Sequence, residues 1–208
     1  MLENKVDFII KTLDELFPNA KCELNYSNIY ELCVAVILSA QTTDKSVNSV
    51  TPKFFIAYPD VYALSKANPK EVETYIARLG LSQRKSELIV KFALTIVNEY
   101  FGVIPDEMEE LIKIPGIGRK TANVIVSEGF GKPGLAVDTH VLRVSNRLGL
   151  VNSLDPFVVE KELKMLFPEE LWHFMHHHLI FMGRYLCSSR SPKCSECPFK
   201  DICKYFSK

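Results

Sequence analysis

Three observations in the sequence predict an all-α fold. Apolar residues recur at three- and four-residue spacing in one segment after another. No segment alternates polar and apolar residues for long, as a half-buried strand would. Helix-starting residues (Asn68-Pro69, Asp138, Asp155-Pro156) precede apolar runs, and glycine or proline follows them.

In chain order, Val6, Ile9, Ile10, Leu13, Leu16 and Phe17 make one apolar stripe, which Pro18 ends. Ser27 is placed to cap a second helix. Its run from Leu32 to Leu38 is apolar on every side, which predicts a buried helix, and the flanking length favours helix over a buried strand. The chain breaks to polar residues at Ser39-Ala40-Gln41-Thr42-Thr43-Asp44, and a helix follows through Val47, Val50, Phe54 and Phe55. Asn68 caps a helix carrying Val72, Tyr75, Ile76 and Leu79, which Gly80 ends. Gly80-Leu81-Ser82 reads as an exposed turn. Ser82 opens a long helix through Leu88, Ile89, Phe92, Ile96, Val97 and Tyr100, closed by Gly102. Asp155-Pro156 caps a helix that Pro168 breaks, and a last helix runs from Glu169 to about Leu186.

With 208 residues, 47% of them apolar, the chain can bury sizeable cores as one domain or two small ones. No uncharged apolar run reaches the ~18 residues of a membrane span. Met1-Leu2-Glu3-Asn4-Lys5 starts no signal peptide, so an intracellular (cytoplasmic) protein is expected. Net charge is zero, which announces no polyanion partner, but its distribution is uneven: residues 111–150 and 181–208 each carry +4. Such segments suit a polyanion.

The first of these basic segments holds the most informative stretch. Ile114-Pro115-Gly116-Ile117-Gly118 cannot be helix interior, because proline lacks the donor and the glycines permit a tight turn. Asp106 to Ile114 on its left and Arg119 to Glu128 on its right have helical spacing, and Gly129 ends the second run. A helix, hairpin, helix follows. The hairpin amides and the free N–H groups of the second helix then point one way, as at anion sites. Gly116 and Gly118 leave room for a phosphate, with Arg119 beside them. Lys120 falls in the first turn of that second helix. Only a neutral amine attacks carbon, and the helix dipole, partial burial and the neighbour Arg119 all favour the neutral form. Asp138 precedes the run Val141, Leu142, Val144 and Leu148, which Gly149 stops, so it reads as an N-cap. A carboxylate anchored there also suits a developing positive charge.

Two clusters of ligand-type residues remain. His173 and His177 stand at i, i+4 on a predicted helix, but no acidic neighbour in the sequence completes a familiar metal site. With His176 and His178 they read as surface or core-edge residues. Cys187, Cys194, Cys197 and Cys203 lie within 17 residues, while Cys22 and Cys33 lie far upstream. An intracellular chain disfavours disulfides. Four thiolates serve either zinc or a [4Fe–4S] cluster, and their number does not choose between them. Arg190 and Lys193, in the loop between the first two of these cysteines, form a tethered basic pair suited to phosphates.

At Leu111 to Asp138 the sequence resembles the helix–hairpin–helix DNA glycosylases, and it resembles the endonuclease III branch over nearly its whole length. Glu23-Leu24-Asn25-Tyr26, Leu38-Ser39-Ala40-Gln41 and the cysteine spacing C-x6-C-x2-C-x5-C carry that closer likeness. The resemblance implies two helical lobes: residues 22–132 as a six-helix lobe ending in the hairpin motif, and residues 1–21 plus 133–208 as a second lobe. The second would carry a [4Fe–4S] cluster on loop 187–203, ligated by Cys187, Cys194, Cys197 and Cys203. Lys120 would be the nucleophile and Asp138 its helper, facing it across the cleft. Gln41 would enter the duplex where the damaged nucleotide has left, and Leu81 would wedge between bases. The implied activity is a bifunctional DNA glycosylase/AP lyase acting on double-stranded DNA with damaged pyrimidines or abasic sites, as a monomer.

Three rivals stand beside it. Adenine mismatch glycosylases of the same fold place a glutamate on the early buried helix. Leu32 to Thr43 has no carboxylate, and the likeness ends near Lys208 with no mismatch-reading domain. Thymine mismatch relatives usually lack the lysine. A non-catalytic DNA-binding module with a zinc-bound tail leaves the pairing of Lys120 with Asp138 unexplained. One departure is Phe181-Met182-Gly183-Arg184, where some relatives carry histidine before the glycine. It is expected to lie around the cluster.

Overall fold

The computed structural model of the chain describes residues 2–206, whose regular structure is all helical, with no strand among the described residues. The chain divides into two compact units, residues 23–132 and residues 1–22 with 133–208.

The continuous unit holds seven helices: α2 (Ile29–Leu38), α3 (Asp44–Ala57), α4 (Val61–Ser65), α5 (Pro69–Ile76), α6 (Ser82–Glu99), α7 (Met108–Leu111) and α8 (Arg119–Val124). The cap of α2 is Asn28, one residue beyond the expected Ser27. The Asn28 side chain accepts from the Glu31 amide at 3.0 Å, and the Glu31 carboxylate accepts from the Ser27 amide at 2.7 Å. The two bonds form a reciprocal box that satisfies two end donors at once, so the cap falls where a glutamate lies three residues on. Leu32 to Leu38 are all buried, as the all-round apolar run requires. Helix α4 has no counterpart in the sequence reading. It is five residues long and capped by Asp60, too short for a periodic signal. Helix α7 is much shorter than expected because the chain tightens after Leu111. The Lys113, Ile114 and Ile117 amides each bond to the carbonyl three residues back. Helix α8 continues as a π-helical turn, Ile125–Gly129, where Ser127 Oγ donates to the Asn123 carbonyl at 2.9 Å.

The other unit combines α1 (Leu2–Leu16) with α9 (Thr139–Leu148), α10 (Pro156–Leu166) and α11 (Trp172–Phe181), the last continuing as a π-helical turn over Met182–Leu186. Ile9, Leu13, Val141, Val144, Leu148, Leu163, Leu179 and Phe199 are buried together in its core. His176, His177 and His178 are buried too, not at the surface or core edge as expected. Helix α11 packs against both α1 and α9, so even its polar positions face neighbours. The His176 Nδ1 lies 2.7 Å from the Ala136 carbonyl, and His178 lies 3.9 Å from Asp14 of α1.

Candidate nucleic-acid and iron–sulfur sites

The hairpin Ile114-Pro115-Gly116-Ile117-Gly118 rests on buried Ile114 and Ile117. Gly116 has φ +89°, and a Cβ there would lie 3.0 Å from Leu88 Cγ of α6 and 3.4 Å from Ile37 Cδ1 of α2. Gly116 therefore has both a left-handed backbone and no spare space. Gly118 has an ordinary extended backbone as the N-cap of α8 and nothing near a would-be Cβ. Arg119 and Lys120 follow, both exposed. The partial burial expected for Lys120 is not supplied by its own unit. The first N–H groups of α8 lack intrahelical partners and lie beside both cations.

Gln41 and Leu81 belong to the same unit. Gln41 follows the C-terminus of α2 and is exposed with φ 54°, and Leu81 precedes α6 with φ 60° and is 55% exposed. A left-handed backbone costs a non-glycine residue about 1–2 kcal/mol. Both side chains are therefore held in conformations their own sequence disfavours, which is common where a binding surface fixes the backbone. Helices α2 and α6 position the hairpin, the Gln41 loop and the Leu81 turn.

Asp138 and the four cysteines belong to the other unit. The Asp138 carboxylate caps α9, accepting from the His140 and Val141 amides at 2.8 Å each. Burial holds the His140 imidazole below its ordinary pKa. Arg143 and Arg184 add to that, while Asp138 works against it.

Helix α9 then reaches the cysteine loop through two arginines one turn apart. Arg143 donates to the Cys187 carbonyl at 3.1 Å and the Gly183 carbonyl at 2.9 Å. Arg147 donates to the Ser188 and Ser189 carbonyls at 2.8 and 3.0 Å, lies 3.4 Å from Cys187 Sγ, and stacks 4.2 Å over the Tyr205 ring. Neither arginine was singled out in sequence. The available signal was their i, i+4 spacing, which alone reads as a solvated face.

Cys187, Cys194, Cys197 and Cys203 form no disulfide and line one cavity with Arg147 and Met182. Burial raises the Cys197 thiol, and the three other sulfurs push it the same way. Four converging sulfurs with an arginine beside them fit an anionic four-thiolate cluster. Arg190 and Lys193 are both exposed on the same loop. Cys33 is separate: its thiol is fully buried in α2 and raised by burial.

The all-helical fold, the glycine hairpin followed by an exposed lysine, and the four-cysteine cavity define an iron–sulfur base excision DNA repair protein. The HhH-GPD superfamily of base excision DNA repair proteins matches residues 34–169, and the iron-sulfur binding domain of endonuclease III matches residues 187–203. Endonuclease III of Bacillus subtilis (strain 168) is 45% identical over 201 residues, 96% of this chain and 92% of that protein. Endonuclease III of Escherichia coli (strain K12) is 40% identical over 200 residues, 96% and 95% of the two chains. A solved structure of a trapped endonuclease III–DNA covalent intermediate, an estranged-adenine complex, superposes with a TM-score of 0.94 at 41% identity, covering 99% and 97% of the two chains. The chain belongs to the endonuclease III family of DNA glycosylase/AP lyases, and its cofactor is a [4Fe–4S] cluster. Among the described residues no helix is long and apolar enough to cross a membrane.

Proposed function

We propose that this chain binds double-stranded DNA inside the cell as a monomer, removes oxidised or otherwise damaged pyrimidines, and cleaves the strand 3′ to the abasic site. The observation that carries the proposal is the exposed Lys120 at the start of α8, directly after the Gly116–Gly118 hairpin. The likeness to an endonuclease III caught as a covalent DNA intermediate supports it.

The hairpin amides and Arg119 hold a phosphate, and Arg190 and Lys193 hold others. The damaged nucleotide leaves the stack, Gln41 enters the space it vacates, and Leu81 separates the neighbouring bases. The neutral amine of Lys120 attacks C1′ with its nitrogen lone pair. The C1′–base bond breaks, and the base leaves with that electron pair and takes up a proton. Asp138, anchored by two backbone amides, stabilises the positive charge on the sugar as it develops. The bonded nitrogen gives its extra proton to Asp138, and its lone pair expels the ring oxygen O4′, which takes up a proton; the protonated Schiff base so formed acidifies the C2′ hydrogen. Loss of that proton expels the 3′ phosphate as the C3′–O bond breaks. Cys187, Cys194, Cys197 and Cys203 would hold the cluster, and thiolate ligation there would tie down the loop carrying Arg190 and Lys193.

Borohydride trapping on a duplex with one oxidised pyrimidine tests the assignment. Wild type should form a covalent adduct, whereas Lys120→Gln should bind the duplex and form none. An adduct that survives in Lys120→Gln would show that the nucleophile lies elsewhere.

A further inference from the structure

Lys85 is the only buried lysine among the described residues, 4% exposed, and it has no carboxylate partner. Burial accordingly lowers its pKa. A covered ammonium without a counter-ion is costly, and an apolar residue would fill the position more cheaply. What Lys85 does instead is join two turns. Its Nζ donates to Thr42 Oγ1, next to Gln41. Its backbone amide donates to the Leu81 carbonyl at 2.9 Å. One residue thus links Thr42, the neighbour of Gln41 with its φ of 54°, to Leu81 with its φ of 60°. The Thr42 hydroxyl suits the arrangement. Its own hydrogen faces the Ala40 carbonyl at 3.4 Å, which leaves its lone pairs to the ammonium. Side-chain bonds therefore close the Ala40–Thr42 turn from within and anchor it to α6 from without.

We propose that Lys85 is a positioning residue: it ties the loop that carries Gln41 to the turn that carries Leu81, so that the two side chains enter the duplex in a fixed relation. This inference rests on the reading of Gln41 and Leu81 as the residues that enter the duplex. The amine of Lys85 touches no substrate, because it is covered and engaged by Thr42. Its influence falls on how well a base pair is opened, not on the chemistry at C1′.

The test uses the holoenzyme and two substrates. One is a duplex with a single oxidised pyrimidine opposite 2-aminopurine, whose fluorescence reports unstacking of the orphaned base. The other is a single-stranded oligonucleotide with one abasic site, which needs no base pair opened. Lys85→Met keeps the length and removes the donor; Thr42→Val keeps the shape and removes the acceptor. Each should slow single-turnover base release from the duplex about tenfold, within the coupling range of residues sharing a hydrogen-bond network. Each should reduce the fluorescence change and leave cleavage of the single strand at the wild-type rate. The double variant should be no slower than either single one, and Lys85→Arg should recover most of the rate.

Equal losses on both substrates would make Lys85 a general structural residue and overturn the proposal. So would wild-type duplex rates in Lys85→Met and Thr42→Val while Gln41→Ala and Leu81→Ala are slow, although the reading of Gln41 and Leu81 would then survive. Wild-type rates in Gln41→Ala and Leu81→Ala would overturn that reading, and the Lys85 proposal with it.

Discussion

Gly116 and Gly118 stand two residues apart in one hairpin and do different jobs. Gly116 has a positive φ and only 3.0 Å between its would-be Cβ and Leu88. Gly116→Ala should cost about 1–2 kcal/mol in chemical unfolding. Gly118 has an extended backbone and open space, so Gly118→Ala should cost under about 1 kcal/mol, as Gly and Ala differ little outside special conformations. If Gly118→Ala still weakens DNA binding in a titration, the missing side chain there serves close approach of a phosphate. A large stability loss in Gly118→Ala would contradict the difference drawn between them. The sequence announced a glycine turn but not this division, because both residues read as equally permissive. It also gave no hint of the left-handed backbones at Gln41 and Leu81. Local propensity disfavours that conformation for both, and the bond that braces the Gln41 loop, from Lys85 to the Thr42 hydroxyl, comes from over forty residues away.

Helix α9 carries a capping carboxylate at one end and, along its length, two arginines that hold the cysteine loop. Arg147 makes two bonds to loop carbonyls and stacks on Tyr205. Arg147→Ala should destabilise the unit by about 2–3 kcal/mol and hasten loss of the visible iron–sulfur absorbance on heating, since charge-assisted bonds and an aromatic stack go together. An unchanged melting curve and bleaching rate would show that the cysteines hold the loop unaided. The cysteine spacing was legible at once, because thiolates at short intervals have few alternative uses. The arginines were not, because a pair one turn apart looks the same whether it faces solvent or a carbonyl-rich loop. Length sets a similar limit among the helices. The long stripes of α1 and α6 were plain, whereas five-residue α4 gave no period to read, and α7 lost most of its expected span to tight turns.

For the molecule as a whole, acid is the informative perturbation. Burial lowers the pKa of His178, with His177 adding to it, while Asp14 and the Phe17 backbone oppose. Burial lowers His140 as well. A histidine that is harder to protonate when folded binds fewer protons there than in the unfolded chain. Its contribution is fully present above the unfolded value of about 6.5 and is lost as pH falls from there through the lowered folded value. Unfolding free energy should decline below about pH 6.5, and His178→Gln should flatten part of that decline. A slope identical to wild type would remove His178 from the account. The all-α architecture was readable because a 3.6-residue period belongs to each helix separately. Which helices share a core is a non-local fact, and nothing within residues 2–16 says that their partners lie beyond residue 133. That division bears on how the protein is made. Residues 23–132 leave the ribosome as a complete unit and can fold while synthesis continues, whereas α1, made first, must wait for α11 and is left with its apolar stripe unsheltered for most of translation. The newborn chain therefore carries a temporary sticky end, and slow elongation late in the message would prolong the interval in which a chaperone has something to hold.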